Sequence, residues 1–207
     1  MEIILASQSP RRREMLTLMG LTFQVVVSDV QEVSPPGATP EVLVGHLALQ
    51  KAQAVAASYP AHCVIGADTI VYIDGKVIGK PKDEADAFRI LSLLQGRTHT
   101  VYTGVAVLSP KGVDVRHSET KVTFAAMTEE EIRWYIATGE PMDKAGAYGI
   151  QGPGGMFVER VEGNYFTVIG LPLPLLYRML KQAGAITLGM APALNCKNIG
   201  NTSNNVI

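Results

Sequence analysis

The chain has 207 residues, of which 47% are hydrophobic and 18% are charged, and its net charge is −1 at pH 7. These values are typical of one soluble globular domain with a sizeable core, and they give no general attraction to nucleic acid or to a membrane surface. Two cysteines are too few for a disulfide framework or a zinc site, and four histidines without ligand spacing predict surface or turn positions. Since the sequence has neither a signal-peptide pattern nor an apolar run long enough to span a membrane, we expect a cytoplasmic protein.

The first element is a short apolar strand, followed at once by a helix with a basic first turn. Residues 2–6 predict the strand, Ser9 the N-cap and Pro10 the first helical residue. Residues 11–13 are all arginines, although the positive end of the helix dipole disfavours cations there. Backbone N–H groups, the hydroxyls of Ser7 and Ser9 and the guanidinium groups would together bind a phosphate chain. We prefer this interpretation to a solvated basic turn.

An acidic segment follows the next predicted strand, which covers residues 22–27. Asp29 and Glu32 lie in this segment, and loops after strand ends often carry functional groups in α/β proteins. Either carboxylate alone is better explained by turn formation. Residues 39–58 predict a long helix, and the position of Lys51 in its middle predicts a solvated side chain.

The most hydrophobic segment, residues 63–73, predicts a central strand bent near Gly66. It carries one carboxylate, Asp68. Because burying an unpaired charge is costly, we expect Asp68 to face a cleft rather than to be a structural aspartate inside the core. The Asp-Gly pair at residues 74–75 predicts a hairpin turn, and the return strand would bring Lys80 toward Asp68.

The second half of the chain predicts hairpins and helices in alternation, so we expect a mixed β-sheet flanked by helices. Predicted strands cover residues 98–108 and 113–126, with a last hairpin from 156–161 and 165–169, and predicted helices cover 83–94, 128–138 and 173–182. The glycine-rich, charged loop at 139–155 has little to bury, which is typical of a functional or mobile loop. Residues 185–207 contain aperiodic asparagines and predict a disordered tail without a catalytic role.

Four polar segments are predicted at the ends of strands: residues 7–13, 29–32, 68–80 and 143–151. Together they offer cations for phosphate oxygens and carboxylates for a metal and a water molecule. Phosphoryl chemistry depends mainly on such positioning and electrostatic stabilisation. No glycine-rich P-loop sequence is present.

The same segments resemble the Maf family of nucleotide pyrophosphatases. The resemblance covers nearly all of residues 3–183 and rests on four motifs, which read ASQSPRR at 6–12, GADT at 66–69, KP at 80–81 and DKAGAYGIQG at 143–152. It implies hydrolysis of a nucleoside triphosphate to the monophosphate and pyrophosphate with a divalent cation, Mg²⁺ or Mn²⁺. It also implies an α/β fold with two lobes around a deep cleft, similar to inosine-triphosphate pyrophosphatases. We therefore expect a Maf-like domain over residues 1–184, followed by the tail.

The resemblance assigns roles to individual residues. Asp68 matches the proton acceptor and, with Glu32, a metal-binding position. Arg11, Thr69 and Gln151 match the positions linked to substrate choice, and their combination is similar to the subgroup that acts on dTTP and UTP rather than on 7-methyl-GTP. Further matches to cleft positions are Ser7, Arg12, Glu32, Lys51 and Lys80. For Lys51 this implication replaces the solvated position that its spacing predicts.

Three functions are compatible with these features. The leading one is a pyrophosphatase that hydrolyses dTTP, UTP or modified pyrimidine nucleotides. The alternative is a nucleotide-binding regulator of septum formation and cell division without essential turnover, although a sensor does not need the Asp68 carboxylate beside the phosphates. A nucleic-acid-binding module built on residues 11–13 has thin support, because no aromatic platform accompanies them. We expect a nucleotide ligand and neither nucleic acid nor membrane as a partner, and a homodimer is one open oligomeric state.

Overall fold

The structure of the protein is a computed structural model that describes residues 1–187. Within these residues, seven strands form one mixed sheet in the order β2-β1-β3-β5-β6-β7, and β4 pairs with β3 beside this path. The strands are β1 (Ile3–Leu5), β2 (Phe23–Val25), β3 (Cys63–Ile73), β4 (Lys76–Ile78), β5 (Thr98–Ser109), β6 (Gly112–Phe124) and β7 (Val158–Gly163). Strand β1 is parallel to β2 and β3, and the remaining pairs are antiparallel. The prediction of a mixed α/β fold is therefore confirmed.

Six α-helices accompany the sheet in the described part of the chain: α1 (Pro10–Leu18), α2 (Pro40–Ala56), α3 (Glu84–Leu94), α4 (Glu129–Ala137), α5 (Tyr165–Ile169) and α6 (Leu173–Ala183). Their ends follow the capping signals in the sequence. Ser9, Asp83 and Thr128 each accept a backbone N–H at the start of a helix, and Thr128 forms a full capping box with Glu131. None of these helices is both long and apolar enough to cross a membrane.

Helix α2 packs closely on the sheet because two strand positions have no side chain. A Cβ atom at Gly66 of β3 would collide with the carbonyl group of Ala48, and one at Gly104 of β5 would collide with that of Val44. Strand β3 continues without interruption through Gly66, so this glycine admits the helix rather than marking the predicted bend. The close contact brings Lys51 of α2 over the middle of β3.

The predicted hairpin after residue 156 is wrong in its second half. Residues 158–163 form β7, which pairs with β6, but residues 165–169 form helix α5. The Asn164 side chain accepts the backbone N–H of Phe166 at 2.9 Å and caps this helix, and Gly170 ends it with a φ of 109°. These end signals override the preference of residues 165–169 for strand.

The loop at residues 139–155 is more ordered than its composition predicts. It contains three 3-10 turns at Glu140–Asp143, Ala145–Ala147 and Pro153–Phe157. Glu140 accepts hydrogen bonds from the Tyr135 hydroxyl at 2.7 Å and from the backbone of Gly154 at 2.9 Å. The loop therefore has a polar anchor at helix α4.

The expectation that every histidine lies at the surface or in a turn fails for His99, which lies in strand β5 and is 2% exposed. Its Nε2 atom lies 2.9 Å from the hydroxyl of Tyr148, a buried residue of the same loop. Burial lowers the pKa of His99 to about 4, so the ring is neutral at pH 7.

The packed body extends slightly beyond the boundary that the sequence predicts. Ala185 and Ile186 pack against the core formed by β1, β3, α1 and α6, although both were assigned to the tail. The rest of that predicted tail, residues 188–207, lies outside the described residues.

Candidate active site

A pocket of about 760 Å³ lies where helix α1 begins beside β1 and β3. All nine residues that the family resemblance assigns to the site line this pocket: Ser7, Arg11, Arg12, Glu32, Lys51, Asp68, Thr69, Lys80 and Gln151. They come from six separate parts of the chain, so the fold brings together what the sequence keeps apart. Asp29 is exposed and does not line the pocket.

The start of helix α1 forms one wall. Ser7 accepts the backbone N–H of Ser9 at 3.2 Å, and Ser9 accepts that of Arg12 at 3.4 Å. Arg11 and Arg12 line the pocket, whereas Arg13 is exposed and does not. Two of the three consecutive arginines therefore add their charge to the helix N-terminus inside the pocket, which makes this wall strongly attractive to anions.

Arg12 is held at both edges of its guanidinium group. Its Nε donates to the carbonyl oxygen of Gly170 at 2.9 Å, its Nη1 to Ser7 at 3.3 Å and its Nη2 to the hydroxyl of Thr69 at 3.2 Å. Burial lowers the pKa of Arg12, and the nearby Asp68 partly opposes this effect. An arginine remains charged under such conditions. Two of its five N–H groups are left for a ligand.

Lys51 connects two carboxylates across the pocket. Its Nζ lies 2.5 Å from Asp68 and 2.9 Å from Glu32, and its side chain is only 17% exposed. The prediction of a solvated Lys51 from its spacing was therefore wrong, because the side of α2 that faces the sheet cannot be inferred from one mid-helix position. Asp68, at 13% side-chain exposure, both faces the pocket and meets a cation.

Glu32 and Asp68 are also the residues that could hold a metal ion. Their oxygens approach the same Nζ atom, so one cation can contact both. The described residues contain no group of three or more His, Cys, Asp or Glu side chains placed to hold a metal. Mg²⁺ is commonly bound by one or two carboxylates together with substrate phosphates and water. This pair therefore fits a divalent cation whose other ligands are phosphate oxygens and water.

The loop at residues 139–155 forms another wall of the pocket. Asp143 lies 3.7 Å from Arg11 and 2.6 Å from the Nζ of Lys144, which also donates to the carbonyl oxygen of Glu140 at 2.7 Å. Gln151 lines the pocket from an exposed turn. Lys144 was not assigned to the site, although its place beside Asp143 in a glycine-rich loop is a signal that could have found it.

Ser28 is a second residue that sequence reasoning missed. It lines the pocket, and among the described residues its buried hydroxyl has no hydrogen-bond partner. A buried polar group without a partner is costly, so a ligand that reaches Ser28 would gain a hydrogen bond. Its position after a short strand and before the acidic segment was the only signal.

Known proteins resemble this chain in sequence and in fold. The family model described as Maf-like protein matches residues 2–183. A dTTP/UTP pyrophosphatase from Bacillus cytotoxicus is 52% identical over 181 residues, which cover 87% of this chain and 95% of the relative. A dTTP/UTP pyrophosphatase from Bacillus cereus is 51% identical over 181 residues, which cover 87% of this chain and 89% of the relative. The solved structure of the Staphylococcus aureus Ham1 protein shares the fold at a TM-score of 0.51 and 17% identity, over 88% of this chain and 99% of that one. The chain belongs to the Maf family.

Proposed function

We propose that this protein is a nucleoside triphosphate pyrophosphatase that hydrolyses dTTP and UTP to the monophosphate and pyrophosphate. The observation that carries the proposal is the position of Asp68, a carboxylate in a pocket whose other walls present Arg11, Arg12 and Lys80. The names of relatives that are about half identical over most of their length support the same activity.

The cationic groups would bind the phosphate chain. Arg11 and Arg12 present N–H groups beside the start of α1, and Lys80 faces the same space. Lys51 uses two of its three N–H donors on Glu32 and Asp68, which leaves one for a phosphate oxygen. Such fixed cations stabilise the charge that develops on the phosphates during transfer.

Asp68 would act as the general base. Its carboxylate takes a proton from a water molecule while the water oxygen bonds to the α-phosphorus. The bond from the α-phosphorus to the bridging oxygen then breaks, and its electron pair leaves with pyrophosphate. A divalent cation held by Glu32 and Asp68 would supply additional charge neutralisation on the phosphates. Lys51 holds the two carboxylates close together beside the reacting centre.

Base selection would come from uncharged groups of the pocket lining. Gln151 is uncharged and lines the pocket from an exposed turn, and an amide can donate and accept at the edge of a pyrimidine. A purine ring is larger and presents different groups. We therefore expect dTTP and UTP to be preferred over ATP, GTP and 7-methyl-GTP.

The direct test measures pyrophosphate release from each of these five nucleotides with Mg²⁺ and with Mn²⁺. We expect dTTP and UTP to give the highest kcat/KM. A purine nucleotide at the top of this order would refute the base assignment. Nucleotide binding without any pyrophosphate release would favour the regulator instead.

A further inference from the structure

Three hydroxyl side chains form a row across neighbouring strands beside the pocket. Thr69 of β3 is paired in register with Thr103 of β5, which is paired in turn with Ser118 of β6. The row begins at the pocket wall with Thr69 and enters the interior at Thr103, which has no exposed surface. Fully buried hydroxyls need partners, so the hydrogen bonds of this row can be followed one by one.

The hydroxyl protons of Thr69 and Thr103 can each point in only one direction. Thr103 lies 2.8 Å from the carbonyl oxygen of Thr167, which can only accept, so Thr103 donates its proton there. A hydroxyl has a single proton, and therefore Thr69, at 2.9 Å from Thr103, must donate to Thr103. Thr69 is then an acceptor toward Nη2 of Arg12, which can only donate. The hydrogen bonds therefore run from Arg12 to Thr69, from Thr69 to Thr103, and from Thr103 to the carbonyl oxygen of Thr167.

Helix α5 fixes both ends of this series of hydrogen bonds. Thr167 lies within the helix, and its hydroxyl is 2.8 Å from that of Ser118. Gly170, the C-cap of the same helix, accepts from Nε of Arg12. A Cβ atom at Gly170 would lie 3.1 Å from the Thr69 hydroxyl and 3.7 Å from Nε of Arg12, in a backbone conformation with φ of 109° that side chains rarely adopt. One short helix therefore holds the guanidinium group at two nitrogens, directly at Nε and through Thr103 and Thr69 at Nη2.

We propose that Thr103 is a positioning residue for Arg12 and acts through Thr69. Thr69 donates its only hydroxyl proton to Thr103, so it cannot donate a hydrogen bond to a nucleotide base. It can meet a ligand only through its free lone pair or its methyl group. Thr69 thus serves the phosphate site by orienting Arg12, and this proposal rests on the proposed function in so far as Arg12 binds phosphates.

The test compares two substitutions at Thr103 with one at Thr120. Thr103→Val removes the acceptor of the Thr69 proton, whereas Thr103→Ser keeps it. Thr120→Val is the matched control. Thr120 is also buried, on β6, and it forms hydrogen bonds with Asn164, the N-cap of α5. It has no hydrogen bond to Arg12, Thr69 or Thr103. If circular dichroism shows that Thr103→Val does not fold, Thr103→Ala replaces it.

The measurements are the Kd of inorganic pyrophosphate by calorimetry and the kcat/KM for dTTP. Thr103→Val should weaken both by about tenfold, the scale of one misplaced charge-assisted hydrogen bond. Thr103→Ser should stay within about twofold of the wild type, as should Thr120→Val, even if the latter lowers the melting temperature.

The Arg12→Ala background provides the decisive comparison. There, Thr103→Val should have no further effect on pyrophosphate binding, because the group that it orients is gone. An equal loss in both backgrounds, or wild-type values for Thr103→Val, would overturn the proposal. Pyrophosphate binding requires no turnover, so this coupling is measured even if the protein hydrolyses no nucleotide, and failure of the proposed function is distinguishable from failure of the positioning role.

Discussion

The substitution Asp68→Asn separates a catalyst from a nucleotide sensor. Asparagine keeps the size of the side chain and one acceptor oxygen, but it removes the negative charge and the basicity. General-base catalysis contributes about a hundredfold to ten-thousandfold, so turnover should fall by at least about a hundredfold, equivalent to roughly 2.7 kcal/mol of activation free energy. Folding should survive, because Lys51 keeps Glu32 as a partner at 2.9 Å. The unfolding free energy should fall by no more than about 1.5–3 kcal/mol, the net value of a hydrogen bond to a charged group, because the asparagine oxygen can still accept from Lys51.

Pyrophosphate release from dTTP, nucleotide titration by calorimetry and thermal melting should be measured on the same purified variant. Nucleotide binding should persist in part, since Arg11, Arg12 and Lys80 still line the pocket. Asp29→Asn provides the control for a lost carboxylate, because Asp29 is exposed and outside the pocket, and its turnover should equal that of the wild type. A folded Asp68→Asn protein with near wild-type turnover would refute the mechanism.

Three other predictions have matched controls. Arg11→Ala should lose about 2–4 kcal/mol of transition-state stabilisation, measured from kcat/KM, whereas Arg13→Ala should not change it, because Arg13 lies outside the pocket. The pKa of His99 is lower in the folded state than in the unfolded state, so protonation on acidification favours unfolding. Between pH 7.5 and 4, the unfolding free energy should therefore fall by about 3 kcal/mol more in the wild type than in His99→Gln. The control variant His117→Gln should behave as the wild type. Deletion of residues 188–207 should leave the melting temperature and turnover unchanged, whereas a deletion that begins at residue 185 should lower the melting temperature, because Ala185 and Ile186 pack on the core.

Local signals in the sequence predicted most of the secondary structure. The Ser9 cap followed by Pro10 correctly marks α1, and the Asp-Gly pair at residues 74–75 forms the expected hairpin turn, with positive φ at both residues. Prediction failed where a weak local preference met a strong one, as in helix α5, or where burial is decided by distant elements, as for His99. Such outcomes depend on which surfaces meet, and a local pattern does not contain that information.

The site shows the same division. An isolated carboxylate in an apolar strand predicted a cleft position for Asp68 without any tertiary information. Lys51 could not be placed from its spacing, because the contact depends on how closely α2 approaches β3. The hydroxyl row was equally hidden, because it depends on the register between strands. Thr69 and Thr103 lie on strands that are far apart in sequence. Thr103 and Ser118 pair across a long hairpin, and the turn alone does not define its exact pairing. The sequence could indicate the chemistry of the site but not the groups that orient it.

The charge of the pocket explains how a nearly neutral protein could select a polyphosphate. Five cationic and three anionic side chains line the pocket, which gives it a net charge of +2, although the whole chain carries −1. A fully ionised triphosphate carries more negative charge than this, and a divalent cation that Glu32 and Asp68 help to hold would bring the two closer to balance. These five cations surround one pocket, which suits a compact phosphate chain. Because the carboxylates of Glu32 and Asp68 lie among these cations, a metal-free triphosphate would meet repulsion there that a bound divalent cation would remove, and we therefore expect the metal complex of the nucleotide to be the substrate.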